Sequence, residues 1–367
     1  MKRLFLVVLS TLTAFCIAEA ISRLLPWKPE PAIRIYDPKT GFRLRPGMSG
    51  TWVHENPGKF SINSFGFRDV EWRIPKEKEY RVAVLGDSFV EALQLDPEFT
   101  FPKIIEKHLG NIEMMNFGIS GQGQVEELLT YRYDVRPFRP DMVIVCFFPG
   151  NDVIDNWRRS TPSRLFPIYV APDANGVSVI PSPGAAQFAW IRRMMDWTQY
   201  HFSLARRVLD VRRELYFRKQ EIFTEPGLWK GAFGNPDGAI PDFDKMWDLT
   251  EKLFLQLYRD TTMDIGDNRR FLVVCLTEGV QVHSDQRAAF MKKFPNLDPD
   301  YSQKRLETFC KTHGIPFLAL SPDMIAFNKA TGRLLHGFGG KGNGHFNQDG
   351  HRVAAEAISR RLKTILP

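Results

Sequence analysis

Arg81-Val82-Ala83-Val84-Leu85-Gly86-Asp87-Ser88-Phe89 is the stretch that decides the fold. Val82 to Leu85 is apolar without alternation, the mark of a short strand covered on both faces, and Gly86-Asp87-Ser88 stops it with turn-forming residues. The pattern then repeats along the chain. Further apolar runs at Ile112–Phe117, Met142–Phe148, Phe271–Thr277 and Pro316–Leu320 read as strands. Helical periodicity near Phe99–His108, Val125–Tyr133, Phe243–Arg259, Ser302–His313 and Gln348–Leu366 separates or follows them. Alternation of this kind predicts an α/β domain: a doubly wound, flavodoxin-like five-stranded parallel sheet with helices on both faces.

Working outward, the third and fourth strands stand too far apart for an ordinary crossover, so residues 157–242 are read as an inserted helical or lid region. Within it Ile191, Met194, Met195, Phe202, Leu204, Val208, Leu209, Val211 and Leu215 recur at roughly helical spacing. Arg192, Arg193, Arg206, Arg207, Arg212 and Arg213 lie between them. A surface helix with a solvated basic face fits this pattern, and so does a lid or a helix lying on anionic headgroups. Upstream of the first strand, residues 34–78 mix short β-like runs with turn formers and read as a β-like lead-in within the main domain, 34–367.

The first 26 residues differ in kind. Lys2 and Arg3 precede an apolar run from Leu4 to Ile21, which at 1.5 Å per residue reaches about 27 Å, nearly a bilayer core. Ala18-Glu19-Ala20 offers a signal peptidase a small-x-small triplet, but no polar turn-forming stretch separates it from the apolar run. A membrane anchor is therefore favoured over a cleaved signal segment. The prolines of residues 27–33 form a stiff linker, and the domain is expected on the non-cytoplasmic side, or secreted or periplasmic if cut after Ala20.

Of four cysteines, Cys146 and Cys275 sit in strand-like apolar runs and read as small buried hydrophobes, with no disulfide framework and no paired spacing for a metal. A formal net charge of +7 is a weak hint of an anionic surface and does not indicate a nucleic-acid partner.

Polar or glycine-rich clusters follow the first three strands directly: Gly86-Asp87-Ser88, Gly118-Ile119-Ser120-Gly121-Gln122-Gly123 and Pro149-Gly150-Asn151-Asp152. Parallel strands put those ends on one rim. A fourth cluster, Asn343-Gly344-His345-Phe346-Asn347-Gln348-Asp349-Gly350-His351, precedes the last helix and can return to that rim. A hydroxyl, an imidazole and hydrogen-bond donors are what acyl transfer needs, and neither cofactor nor metal is called for.

These four blocks, with Asn116-Phe117 before the second, resemble in order those of the SGNH (GDSL-like) hydrolases, across about residues 37–366 apart from the insertion. Asn63-Ser64-Phe65-Gly66-Phe67-Arg68 is similar to a segment found just before the first block in bacterial membrane-tethered members. The resemblance implies Ser88 as nucleophile, His345 as its base, and an oxyanion hole made by the N–H groups of Ser88 and Gly121 and the side-chain amide of Asn151. His351, inside the predicted helix, reads as structural. Asp87 and Asp152 read as braces of their turns.

The family usually places an acid two or three residues before the base, where this chain has Asn343 and Gly342. The expected orienting group for His345 is the Asn343 side-chain carbonyl or a backbone carbonyl. Gly337-Phe338-Gly339-Gly340-Lys341-Gly342 spells a dinucleotide fingerprint but follows no strand and opens no helix. The expectation is thus a serine ester hydrolase acting on O-acetyl or short acyl groups of cell-envelope carbohydrate, with lipid esters open as substrates. An O-acyltransferase to a glycan using the same site and a weak or inactive binding protein are the alternatives.

Overall fold

The computed structural model describes all residues except 27–28, 164–165, 174–175, 219–222, 226–227 and 367, so the Trp27-Lys28 start of the linker lies outside the described residues. In chain order the elements are α1 (Lys2–Leu24), β1 (Arg34–Asp37), β2 (Gly41–Leu44), β3 (Ser49–Trp52), β4 (Gly58–Ser61), β5 (Tyr80–Leu85), α2 (Ser88–Glu91), α3 (Phe101–Leu109), β6 (Ile112–Asn116), α4 (Gln124–Thr130), β7 (Met142–Phe147) and α5 (Asp152–Trp157). Then come β8 (Ile168–Asp173), β9 (Gly176–Pro181), α6 (Ala185–His201), α7 (Ser203–Arg218), β10 (Phe223–Glu225), β11 (Leu228–Trp229) and α8 (Phe243–Ile265). The chain closes with β12 (Phe271–Cys275), α9 (Gly279–Val282), α10 (Ser284–Lys293), α11 (Tyr301–His313), β13 (Phe317–Ala319), α12 (Ser321–Thr331) and α13 (Gln348–Leu362).

The central sheet has the order β13-β12-β7-β5-β6 and every pairing in it is parallel, as the strand pattern predicts. The central strands β7 and β12 read as unbroken apolar runs because both faces are covered. Val82 and Val84 enter one core with Phe101, Ile105, Met324 and Ile358, while Ala83 and Leu85 enter the other with Leu128, Leu253 and Phe254. The chain starts the sheet at β5 and builds first to one side and then to the other, so the ends of β5, β6 and β7 open on the switch point where a doubly wound sheet forms its crevice.

Three departures from the expected elements have local causes. The helix expected at Val125–Tyr133 keeps α geometry only to Thr130, widens into a π turn over Tyr131–Val135 and closes in a tight 3-10 turn, Arg136–Phe138, where Pro137 interrupts the amide ladder. α12, missed in the pattern, begins with Ser321-Pro322, a proline in its first turn. The insertion is not helical throughout: it opens with the antiparallel hairpin β8–β9, whose Val170 and Val177 are buried in the main core.

The lead-in consists of two antiparallel hairpins, β1–β2 and β3–β4. What fixes it to the sheet is Arg68, 4% exposed, whose guanidinium donates to the carbonyls of Glu91 at 2.8 Å, Ala92 at 2.9 Å, Lys59 at 2.9 Å and Leu95 at 2.5 Å. Burial pushes its pKa down to about 10, still well above neutrality, so it remains a cation. The clamp joins β4 to the turn that follows α2. Arg68→Ala would leave these carbonyls without their donor and should cost about 3–5 kcal/mol in urea unfolding of the full chain in detergent. Arg68→Lys should recover only part of that, because an ammonium cannot reproduce the planar fork.

Candidate active site

Ser88 is the first residue of α2, directly beyond the end of β5. Asp87 caps that turn: its fully buried carboxylate accepts from Phe89 N at 3.0 Å and from the Ser88 hydroxyl at 3.4 Å. Burial raises the Asp87 pKa above the ordinary carboxylate value. Among the described residues the N–H groups of Ser88 and Gly121 have no acceptor within the chain. Gly121 has φ +78°, and a Cβ there would meet no atom within 4 Å, so the space on its side-chain face is open. Asn151 is the N-cap residue before α5, and its amide donates to Asp155 at 2.7 Å; the NH₂ group has a second hydrogen to offer.

The second block is locked under the first. Asn116 Nδ2 donates to the Val90 carbonyl at 2.8 Å, and its Oδ1 accepts from Gly118 N at 2.9 Å. Ser120 donates through both its N–H and its hydroxyl to Glu91, whose pKa burial pushes up to about 7 against the pull of Arg34, the Ser120 N–H and Arg68. Asp152 accepts from Phe148 N at 2.9 Å and Gln124 Nε2 at 2.8 Å, bracing the third block.

His345 reaches the rim on a glycine-rich loop between α12 and α13. The loop is pinned at its base by a His336–Phe346 bridge and by Gly337 N donating to the His345 carbonyl at 2.8 Å. The dinucleotide-like spelling at 337–342 therefore marks the turn that presents the histidine. The imidazole lies 5.0 Å from the Phe89 ring, centroid to centroid, which puts it beside the residue next to Ser88. His351 sits inside α13, 1% exposed, with Nδ1 accepting from Phe101 N at 3.2 Å; burial drives its pKa down to about 3, so it stays a neutral brace.

The group on His345 Nδ1 is neither Asn343 nor a backbone carbonyl. It is Glu55, in the β3–β4 loop, with Oε2 at 2.5 Å from Nδ1 and Oε1 accepting from His345 N at 2.9 Å. Gln94 Nε2 adds a 3.2 Å contact to Nδ1. Burial of the ring opposes its protonation, but the hydrogen bond and charge of Glu55, with Asp87 and Glu91 behind it, hold its pKa above the ordinary 6.5. Glu55 itself is held below the ordinary carboxylate value: burial works the other way and the His345 partnership outweighs it. The backbone shows how firmly this residue is placed, for Glu55 sits at φ 66°, a region a glutamate seldom adopts. The loop is tied down by Asn56 Nδ2 donating to the Gln94 carbonyl at 2.7 Å.

No local signal marks Glu55 as part of the site, since it precedes Ser88 and stands in a different block of the chain. Gly344 is the sequence feature that makes room for it. At φ +97° a Cβ would fall 2.1 Å from Glu55 Oε1, so any side chain there would push the carboxylate off.

No family model matches this chain, and no curated protein matches it. Solved structures with similar chains include a GDSL-like lipase from Bacteroides thetaiotaomicron, 15% identical, covering 80% of this chain and 93% of its own, with a TM-score of 0.40. An acetylxylan esterase from Geobacillus stearothermophilus is 13% identical over 78% of this chain and 94% of its own, TM-score 0.41. An alpha/beta hydrolase enzyme from the metagenome of Lake Arreo, Spain, is 12% identical over 79% and 98%, TM-score 0.40. At this level of likeness neither activity nor substrate transfers, and the functional reading rests on the site's own chemistry.

The charge of Glu55 should be visible without any substrate. In a proton NMR titration, Glu55→Gln should lower the His345 pKa, and Gly344→Ala should move it the same way by displacing the carboxylate. An unmoved His345 resonance in both variants would show that Glu55 does not govern the ring.

Proposed function

We propose that this chain is a serine ester hydrolase of the SGNH type, with Ser88 as nucleophile, His345 as base and Glu55 as the acid that orients and charges the ring. The observation that carries the reading is the Glu55–His345 pair, packed on Phe89 next to a serine whose own N–H has no acceptor among the described residues. With Nδ1 taken by Glu55, Nε2 is the nitrogen left to accept a proton from Ser88. The Ser88 hydroxyl, held loosely by Asp87 at 3.4 Å, is easily released to it.

In the reaction, Ser88 Oγ bonds to the ester carbonyl carbon as its proton passes to His345. The oxyanion so formed is held by the Ser88 and Gly121 N–H groups and the Asn151 amide, each such donor worth about a hundredfold to a thousandfold in rate. Collapse breaks the bond to the alcohol, which leaves with the proton from His345. Water then attacks the acyl-Ser88 carbonyl, gives its proton to His345, and releases the carboxylic acid and the free serine. Glu55 stays ionised and stabilises the imidazolium present in both halves. It supplies the negative charge that Gly342 and Asn343 do not, which removes the reason for reading the site as a weakened one.

The substrate proposed is an O-acetyl or short acyl ester of carbohydrate. α1 is read as an anchor that holds the domain on the non-cytoplasmic side, where such esters of envelope glycans lie.

The test uses a fluorophosphonate probe and hydrolysis of 4-nitrophenyl acetate. Ser88 should label, and Ser88→Ala should abolish both labelling and turnover. Because the His345 pKa is raised, kcat/KM should climb with pH through a limb above 6.5, where the ring loses its proton. Glu55→Gln should shift that limb to lower pH and reduce the plateau about a hundredfold to ten-thousandfold. Turnover that survives Ser88→Ala would refute the mechanism.

A further inference from the structure

The helices α6 and α7 turn the usual arrangement of a surface helix inside out. Trp190, Met194, Trp197 and His201 follow one another at spacings of four, three and four residues, and all are exposed, Trp190 to 61% and Trp197 to 57%. Val208, Val211 and Leu215 continue the same spacing along α7, again exposed. Elsewhere beyond Leu25, exposed large apolar side chains among the described residues are scattered singly. An apolar stripe of this length facing outward marks a surface that is covered in use.

What lies next to the stripe identifies the cover. The corner between the two helices is joined to α1: the Glu19 carboxylate accepts from Ser203 N and Leu204 N, both at 2.9 Å, and caps α7. Arg207 donates to the Ser22 carbonyl at 2.7 Å and to its hydroxyl at 3.0 Å. Phe202 meets Phe15 edge-on, ring centroids 5.1 Å apart. Phe15 lies six residues before Ile21, about 9 Å up the helix and within the apolar run. α1 is long and apolar enough to cross a membrane, and the corner therefore reaches the level of the outer acyl chains.

We propose that the α6–α7 hairpin is a foot that lies in the headgroup layer of the bilayer, its Trp190–Trp197 and Val208–Leu215 stripes in the acyl boundary. Tryptophan and tyrosine are the side chains that settle at this depth, and the exposed Arg193 and Arg212 can extend from the stripe to lipid phosphates. The opposite side of the foot holds the catalytic domain. Asp196 accepts from Tyr36 N at 2.6 Å, and Arg45 lies over the Tyr200 ring at 4.1 Å, so α6 is fixed to β1 of the lead-in. These attachments make the hairpin a seat for the domain, not a cover for Ser88. They also require an uncleaved α1, because cutting after Ala20 would remove Glu19 from the start of α7.

This proposal rests on reading α1 as membrane-spanning and is independent of the esterase reading, which Ser88 labelling tests separately. The full chain is reconstituted into phosphatidylcholine and phosphatidylglycerol vesicles whose acyl chains are brominated close to the headgroup, and tryptophan emission is read. Quenching is expected, and most of it should disappear in the Trp190→Phe, Trp197→Phe double variant, whose exposed positions leave folding intact by thermal unfolding. Sequencing should find the N-terminus of α1 retained. Quenching that persists in the double variant would overturn the proposal. So would an N-terminus at Ile21, or a dimer in detergent, seen by sedimentation, that Trp197→Asp dissociates.

Discussion

The buried guanidinium of Arg68 is the contact on which the geometry of the site depends. Its carbonyl partners belong to β4, to the end of α2 and to the turn that follows it, so the lead-in hairpin and the Ser88 turn behave as one piece. Ala92, one of those partners, sits at φ 52°, a left-handed conformation that the two bonds around it stabilise. Because β4 cannot drift, neither can the loop before it. Glu55 arrives at His345 from a position far back in sequence with both carboxylate oxygens engaged.

The sheet was legible because its strands are buried on both faces and spell themselves as apolar runs, and because each of the first three ends in a glycine-rich polar turn. That arithmetic is local. The identity of the group on His345 is not: a carboxylate two or three residues before it would be visible in the sequence, whereas Glu55 reaches it only through a hairpin, a buried arginine and the turn at Gln94. Locally, Asn343 is the polar neighbour that the sequence offers His345. The legible trace was Gly344, a glycine whose missing side chain is explained by a carboxylate that no local pattern announces.

The insertion was half legible for a related reason. Periodicity fixes that apolar residues share a helix face, but not whether that face turns inward. Trp197 and Val211 have the spacing of core residues and stand in the open. Only their neighbours decide, and those include Glu19 and Ser22 of α1, a polar pair whose presence in an apolar helix makes sense once Ser203, Leu204 and Arg207 engage it.

The carboxylates near Ser88 fall into two electrostatic classes, and the division explains how one of them controls the histidine. Asp87, Glu91, Glu127 and Asp152 are enclosed beneath the rim, and burial raises the pKa of each; for Glu127 and Asp152 the nearby Asp87 charge adds to it. Burial penalises the charged form of each, and the side chains that reach them, Gln124 for Asp152 and Ser120 for Glu91, offer hydrogen bonds and no charge. Glu55 is different. It is about a quarter exposed, it meets an imidazole that gains from its charge, and its pKa is held down while that of His345 is held up. The carboxylate whose pKa is lowered is thus the one in contact with Nδ1. Asp87 shapes the turn that carries Ser88, Asp152 braces the third block, and Glu55 does most to hold up the pKa of the ring it touches.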